Sequence, residues 1–415
     1  MTERAGNLPY PSGSSKIYTM PVDYTSIQQQ IRSAAANARR RQMFIEQKKS
    51  EAQELFDACT SDPEELLRRA REAIRLNPRL RTGLPGNEAL TLARSAPALP
   101  ERLLILAADG SQIQPDRHAP VEFGLINVGI YRLAIGSSQP PREIIHSKLL
   151  DWDDLNPPEG RLNEEIIALE RDLSERRALA LQAQKESDEQ PGLLTVSLTD
   201  GPLELYGDPK EQRLYEEKFR DYLKELRSLA LLGSAVAGYV DKPRADLVIR
   251  LLELMTLPEE ELSKAGNKRP LAPVTDRDLF QPRLGPGERS PVFQLNSSSA
   301  AKFTGDLALH FFYLNVGSVN KPWLARVEVP AWVANDPQQL DTVHAVLVDQ
   351  AQWLGSKPYP YALHRAHETA LVTFDEKRQL LDLMARELLS AGLSAGESSY
   401  KQQSKDLSGT KQRYG

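Results

Sequence analysis

A chain of 415 residues with ordinary shares of hydrophobic (40%) and charged (26%) residues is long enough for one large domain with appendages, or for two domains. Its single cysteine, Cys59, excludes a disulfide framework and a cysteine-based zinc site, and points to a reducing, cytoplasmic compartment. No apolar run reaches membrane-span length and no signal-peptide core is present, while a net charge of −5 excludes a surface coated in positive charge but not a local basic groove.

Residues 1–24 carry Pro, Gly and Ser without periodicity and are expected to form an extended arm. Residues 25–100 read as an N-terminal helical region. Ile27, Ile31, Phe44, Ile45 and Leu55 lie among polar residues in a helical pattern from Tyr24 to Phe56. Asp62-Pro63-Glu64 opens a second helix, with Pro in the first turn and acids at its positive end. Arg39-Arg40-Arg41 reads as a solvated helix face. Gly83 to Pro100, rich in Gly, Pro and Ala, reads as a linker into a main domain over 101–392.

That domain opens with the buried-strand pattern Leu103-Leu104-Ile105-Leu106-Ala107-Ala108, which delivers Asp109 to its carboxyl end; Gly110 permits a tight departure. Val121 to Ile135 and Glu143 to Leu150 are β-rich, and with the first strand they suggest an antiparallel meander. Leu162, Ile166, Leu169 and Leu173 mark a long helix. A second strand ending in Asp-Gly follows, Leu193 to Asp200, and then a helix carrying Tyr215, Phe219, Tyr222 and Leu226. Ala235 to Val240 makes a further strand and Ala245 to Met255 a further helix. A charged, Pro-rich insertion spans about 258–286. Strand candidates lie around Val292, at Leu307 to Val316 and at Leu324 to Val329, followed by a helix from Pro337 to Leu354 and a last one with Leu380, Leu381, Met384 and Leu388. The polar tail over 393–415, with Lys401, Lys405, Lys411 and Arg413, is expected to be disordered.

A meander followed by alternating helices and parallel strands is the order of a ribonuclease H-like α/β fold, here a mixed sheet flanked by helices with an N-terminal helical extension and C-terminal α/β additions. In that order the acids ending the first and fourth strands meet, and Asp109 and Asp200 hold those positions. One Asp-Gly is usually a turn; two that each end a buried strand point to a site. Paired carboxylates are hard oxygen donors for Mg²⁺ or Mn²⁺, and such a cation suits phosphodiester hydrolysis. His367 is placed to complete the shell or shuttle a proton, which tilts the choice towards Mn²⁺; its bland alternative is a helix-capping histidine. Glu368 is a further candidate acid, while His364 and His367 lack the His-Glu-x-x-His arrangement of a zinc hydrolase. Lys242 and Arg244 follow a strand directly, and Arg289 and Arg326 adjoin strands. Any of them could hold a phosphate or simply sit in a surface ion pair. Tyr359 and Trp323 could stack on bases or pack against Pro.

The segments Ala108-Asp109-Gly110-Ser111, Thr199-Asp200-Gly201-Pro202-Leu203, Val240-Asp241-Lys242-Pro243-Arg244, Gly287-Glu288-Arg289-Ser290, Arg326-Val327-Glu328-Val329-Pro330 and Tyr359-Pro360 through Ala366-His367 come in an order that resembles the NurA nucleases. The resemblance runs from about Leu103 to Leu389 and rests on the ordered set, not on any single motif. It implies an Mn²⁺-dependent nuclease, with Mg²⁺ as the alternative cation, that degrades DNA 5′ to 3′ and cuts single strands. It further implies a homodimer served by a hexameric HerA-type ATPase translocase in DNA end resection. Carried over, Asp109, Asp200 and His367 are the catalytic and metal-binding residues, and Ser111, Lys242, Arg244, Arg289, Arg326 and Tyr359 are candidates for DNA contact. Glu204, Asp241, Glu328 and Glu368 compete for a third carboxylate. The helix around Ile27 and Ile31 is the candidate dimer interface. Two readings from other classes stand beside the nuclease: a non-catalytic scaffold of the same fold docked on a translocase, and a phosphotransferase built on two Asp-Gly loops.

Overall fold

Nine strands make one mixed sheet in the computed structural model, which describes residues 23–392 apart from 118, 120, 159, 207–211 and 356. The arm over 1–24 and the tail over 393–415 therefore lie almost wholly outside the described residues. In chain order the strands are β1 (Thr82–Pro85), β2 (Leu103–Ile113), β3 (Gly124–Ile135), β4 (Arg142–Leu150), β5 (Thr195–Asp200), β6 (Ala235–Asp241), β7 (Phe293–Asn296), β8 (Leu309–Asn315) and β9 (Leu324–Pro330). The helices are α1 (Tyr24–Ser61), α2 (Pro63–Leu76), α3 (Trp152–Leu155), α4 (Glu164–Glu189), α5 (Gln212–Leu231), α6 (Leu247–Glu253), α7 (Asp276–Phe280), α8 (Ala331–Ala334), α9 (Pro337–Gln352), α10 (Tyr361–Ala370) and α11 (Phe374–Ser390).

The sheet order is β1-β7-β8-β9-β6-β5-β2-β3-β4. Strands β2, β3 and β4 form the expected antiparallel meander, and β5 and β6 add to it in parallel, each reached through a helix. This is the ribonuclease H-like order. Beyond β6 the sheet continues antiparallel through β9, β8 and β7 to β1.

Two apolar layers cover the sheet. Leu104, Leu106 and Ala108 of β2 share a core with α4 and α5 and with the buried residues of α1, α2 and α6. Leu103, Ile105 and Ala107 face the other way, into a core with Val343, Val346 and Leu347 of α9 and Ala362, Leu363 and Ala366 of α10. The two-residue strand period assigns Asp109 to this second face. The same parity takes Asp200 there after Val196 and Leu198.

Two expectations change. The linker over Gly83 to Pro100 is stitched into the sheet: Thr82 to Pro85 pairs with β7, and Arg94 bridges Arg289. A four-residue edge strand containing Gly and Pro has no alternation to betray it. The insertion over 258–286 packs into the body, with Leu262, Leu271, Leu279 and Phe280 buried in the first core. Strand β2 also does not end at Asp109; it continues against β3 to Ile113, while its pairing with β5 stops at Ala108 and Thr199. Gly110 is thus strand, not turn.

Helix α1 packs only through its second half, where Ala52, Phe56 and Cys59 are buried. Burial holds the Cys59 thiol up near 11, well above its ordinary range. Its first half stands clear, with Tyr24, Ile27 and Ile31 exposed. No helix among the described residues is long and apolar enough to cross a membrane.

Candidate active site

Asp109 and Asp200 stand on the same face of adjacent strands, one step past the last parallel pair, Ala108–Thr199. Neighbouring strands lie about 4.8 Å apart, so the two carboxylates are forced together by the ladder itself. Directly across β3 from Asp109 stands Gly129. A Cβ there would come within 2.5 Å of the Ala370 nitrogen and 2.7 Å of the Ala366 oxygen, so only glycine lets α10 lie on the sheet at this point. That seat brings His367 down over the strand end, with Nδ1 2.6 Å from Oδ2 of Asp109. The other oxygen of Asp109 accepts from the Gly110 amide at 2.9 Å.

Asp200 is followed by a true turn. Gly201 adopts φ +88° and donates its amide to the Tyr239 carbonyl at 2.8 Å. A Cβ on Gly238 would lie 2.7 Å from the Gly201 oxygen, so this turn also depends on a bare backbone beside it. Tyr359 lies beside Asp200 and favours its charged carboxylate. Burial and the neighbouring Asp109 charge nevertheless push Asp200 above its ordinary range, opposed by Tyr359, Gly201 and His367. For Tyr359 the direction is strongly upward, because burial and the Asp200 charge both disfavour a phenolate.

A further carboxylate near Asp109 is Glu175, which the sequence pattern does not single out. It lies in the middle of α4 and is buried, 5% exposed. A Cβ on Gly110 would meet its Oε1 at 2.7 Å, so the glycine after Asp109 is the gap through which α4 reaches the strand end. Burial raises the Glu175 carboxyl well above its ordinary range, and the charges of Asp172 and Asp109 add to this against the pull of Arg176 and Arg171. Arg171 stands 3.6 Å from Glu175 but is paired more closely with Asp172, at 2.8 Å.

The four acids that competed for this place are engaged elsewhere. Glu204 is buried and takes a two-pronged ion pair from Arg81 at 2.8 and 2.7 Å, with hydrogen bonds from Ser297 and Ser299. Glu328 accepts the Leu203 and Glu204 amides at 2.8 and 3.1 Å, clamping the turn after Asp200. Asp241 accepts the Trp323 indole N–H at 2.7 Å. Glu368 pairs on the exposed side of α10 with Arg365. Arg81 and the two serines draw the Glu204 carboxyl down from 4.5 to about 2 despite its burial, worth ~3 kcal/mol. A depressed carboxyl stabilises the fold above its unfolded value, and that contribution disappears as pH falls from 4.5 towards 2. Glu204→Gln is therefore expected to lower stability by ~3 kcal/mol at pH 7 and to flatten acid unfolding across that window. Urea titrations at pH 7 and pH 3 check both.

Of the residues expected to touch DNA, three have their side chains engaged within the protein. Arg289 is fully buried and holds Glu88 in a bidentate pair at 2.8 and 2.6 Å; it is a core ion pair joining the β1 region to β8. Arg326 is 5% exposed and donates to Glu328 at 2.7 Å, so it supports the clamp on the Asp200 turn. The Ser111 hydroxyl donates to the Ala370 carbonyl, tying β2 to the end of α10. Tyr359 is at the site, beside Asp200, and packs edge-on to Tyr239 instead of offering a free ring. Lys242 and Arg244 are exposed beyond β6, beside the strand that ends in Asp200. Lys242 has φ +46° and lies 4.3 Å over the Trp323 ring, so Trp323 serves as its support.

Among the described residues, no three His, Cys, Asp or Glu side chains converge into a finished metal cluster. The donor set nonetheless fits a divalent cation. Asp109, Asp200 and Glu175 are hard oxygen donors, two of them raised by burial and by the charge of the first. The imidazole beside Asp109 suits Mn²⁺.

The chain matches the family model described as the NurA domain over residues 103–372, which takes in Asp109, Glu175, Asp200 and His367. No curated protein matches the sequence. Among solved structures, the NurA nuclease from Sulfolobus solfataricus is 13% identical, covering 82% of this chain and 98% of that one with a TM-score of 0.46. NurA bound to dAMP and manganese is 13% identical over 72% of this chain and 90% of that one, TM-score 0.33. The catalytic domain of human endonuclease V is 15% identical over 77% and 99%, TM-score 0.33. The domain match extends over well more than half of the sequence and frames the whole constellation at the ends of β2 and β5, so the chain belongs to the NurA family.

Proposed function

We propose that this protein is a divalent-cation-dependent deoxyribonuclease that uses Mn²⁺, degrading DNA 5′ to 3′ and cutting single strands. The observation that carries the reading is the placing of Asp109, Asp200 and His367 together on one face of the sheet, with Glu175 reaching the same strand from the other face past Gly110, inside the NurA domain. Asp109, Asp200 and Glu175 would hold the cation, with His367 beside them. When bound, such a cation polarises a phosphoryl oxygen and lowers the pKa of a coordinated water. Glu175 brings its charge from behind the sheet through the gap at Gly110, and Tyr359 beside Asp200 favours its charged form. His367 commits Nδ1 to Asp109, and its other ring nitrogen is the atom placed to carry a proton. Lys242 and Arg244, exposed past the end of β6, would position the phosphate backbone.

Family membership extends the proposal to a homodimer acting in DNA end resection with a HerA-type hexameric ATPase. The test is cleavage of 5′- and 3′-labelled single-stranded and duplex DNA with Mn²⁺, Mg²⁺ or EDTA, with and without such an ATPase. Mn²⁺-dependent loss of label that EDTA stops is the expected result. Silence in every arm, with the protein folded, would leave the non-catalytic scaffold as the better reading.

A further inference from the structure

Arg176 follows Glu175 on α4 and is buried, 3% exposed. Successive residues of a helix point about 100° apart, so the two side chains leave α4 in different directions. Thr199 on β5 faces α4, because Val196 and Leu198 alternate with it into the other core. Nη2 of Arg176 donates to the Thr199 hydroxyl at 2.7 Å, and Nε donates to the Tyr222 hydroxyl at 3.0 Å. The Tyr222 hydroxyl in turn donates to the Leu203 carbonyl at 3.1 Å. Nη1 has no hydrogen-bond partner. Among the described residues, the polar contacts of this buried cation are therefore hydroxyls, and no carboxylate pairs with it.

Hydroxyls compensate poorly for the desolvation of a charge, and a methionine would fill the same space without that cost. Packing gives no reason for the guanidinium, but its geometry does. A planar fork reaches two groups at once. Here the two lie on either side of Asp200. Thr199 precedes it on β5, and Leu203 follows the turn at Gly201, where φ is +88°. Glycine makes that turn adaptable backbone, next to an acid repelled by Asp109. From β9, Glu328 accepts the Leu203 and Glu204 amides. Both backbone polar groups of Leu203 are thus fixed. Thr199 and Leu203 are also the residues that bracket Asp200-Gly201-Pro202 in the sequence motif.

We propose that Arg176 is a positioning residue for the candidate cation site: its fork ties Thr199, and through Tyr222 the Leu203 carbonyl, to the helix that carries Glu175, and so holds the Asp200 turn in one fixed register against α4. This rests on the metal-dependent nuclease reading. Arg176 touches neither the cation nor DNA in this scheme. It acts through Thr199 and Tyr222.

The test uses Thr199→Val and Tyr222→Phe in the full-length protein, since each removes one hydroxyl at nearly constant size and leaves Arg176 in place. Arg176→Lys, which keeps the charge without the fork, is the direct variant. Thermal unfolding first sets a temperature at which every protein is folded. At that temperature Mn²⁺ alone is titrated calorimetrically without DNA, and cleavage kinetics are measured. In each hydroxyl variant the dissociation constant for Mn²⁺ is expected to rise about tenfold and kcat to fall about tenfold, with KM for DNA unchanged. The double variant loses less than the product of the two singles, because both hydroxyls serve one guanidinium. Arg176→Lys loses at least as much as either single. Wild-type Mn²⁺ affinity and kcat in both folded hydroxyl variants would overturn the proposal and leave Arg176 a stitch between α4, α5 and β5. A rise in KM alone would also overturn it, by making the network part of a DNA contact. Full activity in Arg176→Lys would do the same, by showing that the charge suffices without the fork. A wild type that binds Mn²⁺ yet cuts no DNA would sink the nuclease reading alone, and Arg176 would then be judged on Mn²⁺ affinity.

Discussion

Asp109→Asn and Asp200→Asn are each expected to reduce Mn²⁺-dependent DNA cleavage by on the order of 10³-fold or more, about 4 kcal/mol of barrier. The amide keeps the size of the side chain and replaces an anionic oxygen donor with a weak neutral one. The two losses should not multiply in the double variant, because both carboxylates serve the same cation. Stability should move the other way. Asp200 is pushed above its ordinary 3.8 by burial and by Asp109, so the fold favours its protonated form. Stability from that proton is complete below 3.8 and is lost as pH rises through the raised value. At pH 7 the metal-free protein carries the repulsion in full. Asp200→Asn should therefore unfold at a higher temperature than wild type at pH 7 without metal, and the difference should vanish near pH 3. Gel assays of labelled DNA and thermal melts at the two pH values check both halves. Cleavage above a tenth of wild type in either variant would place the chemistry elsewhere.

How far the sequence speaks depends on where each residue's partner lies. The first half of the fold is legible because β2, β3, β5 and β6 are buried strands with strong apolar runs, separated by turns, by the exposed edge strand β4 and by helices of regular period. Asp109 and Asp200 were legible for the same reason: each terminates such a run. Arg289 and Arg326 misled because a cation beside a strand looks available until its partner is seen. Glu88, which neutralises Arg289, is 201 residues away. Glu328 is two residues from Arg326 and pairs with it while clamping the Leu203 and Glu204 amides. Glu175 was hidden because α4 is studded with acids, and nothing local says which of them turns towards the sheet. One signal was present. Gly110 follows Asp109 within a strand, where glycine is otherwise costly. Its lack of a side chain made room for another residue to approach. It was read as a turn, and β2 runs straight through it.

Glu175→Gln separates the cost of the site from its use. The carboxyl is buried behind β2, pushed well up by that burial and by Asp172 and Asp109, with only Arg176 and Arg171 opposing. Without a cation its charge is a liability to the folded state, and the glutamine has almost the same shape without the charge. The metal-free variant is thus expected to melt at a higher temperature than wild type at neutral pH. Since the raised carboxyl supplies stability only while protonated, that gap should close as pH falls below the ordinary 4.5. Mn²⁺ should reverse the ranking. A ligand at 100 times its dissociation constant stabilises a fold by about 2.7 kcal/mol. Wild type should gain an increment of that order, and Glu175→Gln only a small part of it. Cleavage should fall on the order of 10²- to 10³-fold, because the variant keeps Asp109 and Asp200 but loses the donor from the helix side. Melting curves with and without Mn²⁺ read the exchange directly. Equal Mn²⁺ stabilisation in the two proteins would show that Glu175 is a buried acid near the site and not a member of it. Loss of the increment together with a raised metal-free melting temperature would show that the carboxylate is kept, against the stability of the fold, for the cation alone.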